Sequence, residues 1–164
     1  MPCFSRVVMF VVSLWCLAAC GIQASAGRVG VADFPYRSSA FDYKMAWKTT
    51  RTDNGVNIDG VLKYIRYAHI DNSQITVWLL DRDRRVLARA ADIPFPQQRQ
   101  KEEESTFSLK LDNVVLDQGD ILKFVIHYQG KDGETGGIDW VSGFSADALT
   151  GEVLRNESSK EDGW

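Results

Sequence analysis

Leu122-Lys123-Phe124-Val125-Ile126-His127-Tyr128 sets a large apolar or aromatic side chain at every second position. A period of two is the pleat of a β-strand, whose successive side chains point to opposite faces and leave one apolar face to bury. On that phase His127 points outward, beside Val125. Upstream, Phe107, Leu109 and Leu111 alternate with Ser108, Lys110 and Asp112. Further upstream, Phe41, Tyr43, Met45 and Trp47 alternate with Asp42, Lys44, Ala46 and Lys48. Each run reads as a half-buried strand.

Turn residues divide the rest. Asp53-Asn54-Gly55 marks a turn, after which Val56 to about Tyr67 forms a long strand with a bulge expected at Gly60. Asp71-Asn72-Ser73 reads as a second turn, placing His69 where a strand runs out. Ile75 to Leu80 follows as a strand, and Asp81-Arg82-Asp83-Arg84 reverses the chain into Arg85 to Ala90. Pro94 and Pro96, then Glu102-Glu103-Glu104, predict a long exposed loop over 97–105. Gly130 to Gly137 reads as a glycine-rich loop before a last strand from Ile138 to about Phe144. Ser145 to Leu149 is expected to make one helical turn, and the polar tail past Gly151 to fray.

About seven short strands and no long amphipathic helix predict an all-β fold, an immunoglobulin-like antiparallel β-sandwich. The alternative is a small closed barrel. The domain is expected over 34–150, with 151–164 as a polar C-terminal tail. At 164 residues, 45% apolar and 25% charged, the chain suits one globular domain with appendages and not a disordered or collagen-like polymer. A formal net charge of −3 gives no support to nucleic-acid binding through phosphates.

The N-terminus carries an address. Arg6 precedes an apolar run from Val7 to Leu17, too short to span a bilayer comfortably. Leu17-Ala18-Ala19-Cys20-Gly21 resembles a bacterial lipobox. The resemblance implies cleavage of a signal peptide over 1–19 and lipidation of Cys20, followed by a lipidated N-terminus and flexible tether over 20–33. The other readings are an ordinary signal peptide or a plain membrane anchor. Gly21 after the cysteine, in place of aspartate, implies an outer-membrane address facing the periplasm. The cysteines are Cys3, Cys16 and Cys20, so processing would leave one thiol at the cut site and no disulfide in the domain.

A second resemblance covers about half the chain. Ile58-Asp59-Gly60-Val61, Ile75 to Asp81 and Arg85-Val86-Leu87-Ala88 resemble bacterial immunoglobulin-like modules of the FxLYD kind, and Glu104 to Leu109 is similar to the segment opening that family's next strand. Arg84 stands where the family's turn commonly has glycine. The resemblance implies a cell-envelope interaction module without catalysis.

Candidate chemistry is sparse. His69 and His127 are the two histidines, and a zinc site would need partners that the processed chain lacks. Gly143-Phe144-Ser145-Ala146-Asp147 lacks the second glycine and the strand–turn–helix setting of a nucleophile elbow. Asp81 and Asp83 suit a hairpin tip, and Asp53, Asn57 and Asp59 have the wrong order for a calcium loop. No metal, cofactor or catalytic set is expected. The candidate binding surface is Trp78, Trp140 and His127. Trp78 lies opposite in phase to Val77 and Leu79, whereas Trp140 is open to either face. A tryptophan row would suit protein contact or sugar stacking, and burial in the core is the competing reading. The expected function is a membrane-anchored, non-catalytic module binding another envelope protein; the alternative is carbohydrate binding through exposed aromatics.

Overall fold

The computed structural model describes residues 31–96, 99–100, 103–133 and 137–158. Cys20, the signal segment and the tether up to residue 30 lie outside the described residues. So do parts of the expected loops, at 97–98, 101–102 and 134–136, and the end of the tail.

Ten strands follow a short 3-10 turn at Val31–Asp33. They are β1 (Tyr36–Ser39), β2 (Tyr43–Thr52), β3 (Gly55–Tyr64), β4 (His69–Leu80), β5 (Val86–Asp92), β6 (Arg99–Gln100), β7 (Glu104–Asp112), β8 (Ile121–Lys131), β9 (Ile138–Asp147) and β10 (Val153–Ser158). A four-stranded sheet runs β1-β2-β3-β7; a six-stranded sheet runs β10-β9-β8-β4-β5, with β6 pairing the start of β4. Every pair is antiparallel. The protein is an immunoglobulin-like antiparallel β-sandwich, two sheets face to face rather than a closed barrel.

The alternation that predicts the fold also sets its core. In β7, Ser105, Phe107, Leu109 and Leu111 are buried and the residues between them exposed. In β8, Leu122, Phe124, Ile126 and Tyr128 are buried while His127 is exposed. Trp47 of the four-stranded sheet meets Phe124 at 5.1 Å and Phe144 at 5.2 Å between ring centroids, across the interface. The core therefore lies between the sheets, with aromatic rings joining them.

Several expectations are corrected. At the start of β2 the phase breaks: Phe41 is 52% exposed and Asp42 is fully buried. The strand proper begins at Tyr43, so Phe41 and Asp42 sit in a bend and owe nothing to the pleat. Gly60 makes no bulge, for its pairing continues unbroken on both sides. Its missing side chain makes room instead, since a Cβ there would come within 2.3 Å of the Phe107 ring and 2.6 Å of the Ala46 carbonyl oxygen. Asp71-Asn72-Ser73 is no turn but an irregularity inside β4, with Asn72 at φ 50° absorbing the register shift. His69 consequently opens a strand. Likewise β8 runs through Gly130, on which Tyr67 packs.

Ser145 to Leu149 is not helical. Ser145 belongs to β9, and Asp147 then captures the chain: its Oδ1 accepts the N–H groups of Leu149 and Thr150 and the Thr150 hydroxyl. These bonds, the Thr150 N–H first, hold its carboxyl below the usual range. The turn sends the chain into β10 on the edge of β9, so 153–158 is a paired strand rather than a frayed tail. The tether's end is packed too, since Val31 lies beside Phe34 on Ala46 and Val61, outside the four-stranded sheet.

The expected loop after β5 is partly structured. Phe95 exchanges two backbone hydrogen bonds with Thr106 of β7, and Asp92 Oδ2 accepts the Ser108 N–H. The chain returns as β6 to the other sheet before β7 begins. The β4–β5 reversal is as expected, with Asp81 Oδ1 accepting the N–H groups of Asp83 and Arg85. Arg84 adopts φ 63°, the left-handed conformation that explains why glycine suits this position.

Because Gly60 lies under Phe107 and against backbone, Gly60→Ala is expected to destabilise the domain by about 2 kcal/mol. Urea unfolding checks this; an unchanged midpoint would show that the gap can expand without strain.

Candidate functional site

The outward face of the six-stranded sheet holds the first candidates. Val77 and Leu79 point inward, fully buried, so Trp78 points outward, half-buried. Register places Arg89 of β5 and Lys123 of β8 directly opposite Trp78, one on each flanking strand. The Arg89 guanidinium carbon lies 5.7 Å and the Lys123 Nζ 5.4 Å from the Trp78 ring centroid, both over the ring. The indole is thus a support for two cations, each drawn to its π-cloud. His127 shares this face but lies four residues along β8 from Lys123, opposite Gln74 and Val141.

Trp140 is on the other side of the sheet. It pairs with Tyr128, whose side chain is buried, and so faces inward at the end of the sandwich. There it meets Phe41 edge-on at 5.7 Å and Tyr67 at 6.0 Å. Arg66 covers these rings, its guanidinium carbon 5.0 Å from Phe41 and 5.4 Å from both Tyr67 and Trp140. The structure therefore brings Trp78 and His127 to one face and separates Trp140 from both. Cys20 lies outside the described residues.

Beneath the Arg66 cluster sits a buried polar group of side chains. Tyr128 donates its hydroxyl to Asp42 Oδ2 at 2.5 Å, and Tyr64 and Ser73 share a hydrogen bond of 2.6 Å. The Tyr64 and Tyr128 rings are 4.5 Å apart. Burial pushes the Tyr128 phenol far up, and its bond to Asp42 pushes it further. Burial also raises Tyr43, against the opposing effect of its bond to Ser142. Tyrosines held protonated and fully buried are positioned to tie sheets together, because each must satisfy its hydroxyl inside.

Sequence reasoning missed Arg89, Lys123, Arg66 and the Asp42–Tyr128 pair. The outward phase of Lys123 is readable in its own strand; its position beside Trp78 is not, because register between strands 45 residues apart has no local signal. Asp81 and Asp83 remain hairpin residues, and Ser145 lies within a strand. Among the described residues, no group of three or more His, Cys, Asp or Glu side chains is placed to hold a metal ion.

No protein-family model matches the chain, and no curated protein matches it in sequence. Solved structures do match, among them the GAE domain of GGA2p from Saccharomyces cerevisiae. That match is 10% identical, covers 69% of this chain and 99% of the other, and has a TM-score of 0.43.

The buried phenols set a pH dependence. With Tyr43 and Tyr128 raised in the fold, above about pH 10 the unfolded chain releases protons that the folded chain retains. The stability they contribute is complete below that pH and declines as pH rises through it. Urea midpoints should therefore fall above about pH 10, and Tyr128→Phe should flatten part of the fall. A slope identical in the variant would remove Tyr128 from the account.

Proposed function

We propose that the protein is a lipoprotein anchored through Cys20 in the outer membrane, facing the periplasm. It acts there as a non-catalytic module that binds another envelope protein. The anchor and address rest on the Leu17-Ala18-Ala19-Cys20-Gly21 resemblance. The observation that carries protein binding is an exposed apolar strip along the β5 side of the sandwich. Val86 is 62% exposed and Phe95 75%, with Leu87 and Ile93 about half exposed between them. Strand β5 ends its sheet, so its outer backbone edge faces away from β4. An edge strand with apolar side chains accepts an added strand from a partner, whose backbone supplies affinity and whose side chains supply choice.

Stacking of a neutral sugar on the two tryptophans finds less support. Both flanking cations lie over the Trp78 ring, and Trp140 faces inward under Arg66. The chain also enters the domain on the outer face of the four-stranded sheet, where Val31 and Phe34 pack. An anchor at Cys20 would therefore join the domain on the side opposite Trp78.

Cross-linking the full-length protein in its native membrane, followed by mass spectrometry, should return one dominant protein neighbour that Leu87→Glu loses. No neighbour above background, with Leu87→Glu folded, would overturn the reading. Cys20→Ser should leave a folded protein in the soluble fraction, with an unchanged thermal midpoint. Retention of that variant in the membrane would instead identify a plain apolar anchor.

A further inference from the structure

We propose that the outward face of the six-stranded sheet binds an acidic glycan, a sugar chain bearing carboxylates, laid across the strands along one cross-strand row. The row is Arg89, Trp78, Lys123, Ser145 and Arg155, one residue from each of β5, β4, β8, β9 and β10. Each is the direct register partner of the next: Arg89 of Trp78, Trp78 of Lys123, Lys123 of Ser145, Ser145 of Arg155. Directly opposed residues of antiparallel strands point to the same face, so all five side chains lie on the outer face, Ser145 buried between its longer neighbours in the row.

The spacing is regular. Two strand-to-strand steps separate Arg89 from Lys123, and two more separate Lys123 from Arg155. At about 4.8 Å per step the positive charges recur roughly every 10 Å across the sheet. That rhythm suits an extended acidic polysaccharide in which every second sugar turns its carboxylate toward the sheet. The row contains three cations and no acid, on a chain whose formal net charge is −3. A local positive stripe on an acidic protein is a field shaped for a negative ligand.

Preorganisation strengthens the match. Trp78 supports Arg89 and Lys123 by their contacts over its ring, so these long side chains lose less freedom when an anion arrives. Within the row Ser145 is buried, as is Thr76 two residues from Trp78 on β4, so the arginines, Lys123 and Trp78 stand higher than the sheet around them. Along the same face Gln74 and His127 are exposed and oppose each other. Exposed amide and imidazole groups beside a charged row fit sugar hydroxyls. A protein partner would want apolar anchors at its centre; Val86, Leu87, Ile93 and Phe95 gather at the β5 edge, while Val141 beside His127 lies away from the row. The bilayer is also the poorer occupant, because the chain enters on the opposite sheet.

The row shares Arg89 with β5 but uses the outer face of that strand rather than its backbone edge, and it is tested separately. The full-length chain in mild detergent is titrated with polygalacturonate, with dextran as a neutral polymer and poly-L-glutamate as an acidic peptide. Polygalacturonate should bind, dextran should not, and affinity should fall as salt rises. Arg89→Ala and Arg155→Ala should each weaken binding about threefold, and the double variant about tenfold, since the two sites are far enough apart to add. Lys110→Ala, on the other sheet, should leave binding unchanged, and thermal midpoints should show every variant folded. Absence of polygalacturonate binding at low salt, or binding that ignores both arginines, overturns the proposal. Tighter binding of poly-L-glutamate at the same arginines overturns it as well, and assigns the row to an acidic protein segment.

Discussion

The contact of Trp47 with Phe124 and Phe144 is the constraint on which the rest depends. All three rings are fully buried, and Phe124 and Phe144 stack at 4.7 Å with nearly parallel planes. Trp47 meets both from the opposite sheet, tilted against each ring, so aromatic contact joins the two sheets within a core otherwise largely aliphatic. With β2 held to β8 and β9 at that point, alternation decides which side chains face in and which face out. The outward positions of Lys123 and His127 follow from the inward positions of Phe124 and Ile126. The charged row on the outer surface is thus the reverse side of the aromatic contact within.

The two ends of the molecule divide labour. One holds Asp42, Tyr128, Tyr64 and Ser73 in a buried polar cluster under the rings that Arg66 covers. Buried hydrogen bonds of this kind are directional, whereas apolar packing is not, so the cluster selects one register between the sheets. Away from it, the outer surface is free to vary without disturbing that register. Binding chemistry placed on the outside of a sheet therefore leaves the core contacts intact.

Much of the fold is legible in local pattern. Leu122 to Tyr128 and Phe107 to Leu111 alternate so regularly that strand, face and sandwich follow from them. The Asp81 turn is legible too, through its side chain's reach to nearby amides. What is not legible depends on distant partners. Asp42 is buried because Tyr128, 86 residues away, donates to it, and Phe41 is displaced outward in the same bend. Gly60 reads as a bulge because it breaks the alternation of its strand; the reason for glycine is Phe107 on another strand. Strand β10 is too polar to announce itself, since an edge strand on a finished sheet needs backbone pairing more than apolar side chains. For the candidate site, the outward phase of Trp78 is legible and its flanking cations are not. The side of the sheet taken by Trp140 emerges only from its pairing with Tyr128.

The crossing segment from Asp92 to Phe95 closes the free side of β7. Its two backbone bonds to Thr106 and its carboxylate bond to the Ser108 N–H occupy groups that an edge strand would otherwise offer to solvent. Amide exchange there is governed by the release of a segment bridging both sheets, rather than by the fraying of one strand. The four-stranded sheet consequently has a guarded margin on this side, and slow proton exchange at Thr106 and Ser108 is the mark it leaves in solution.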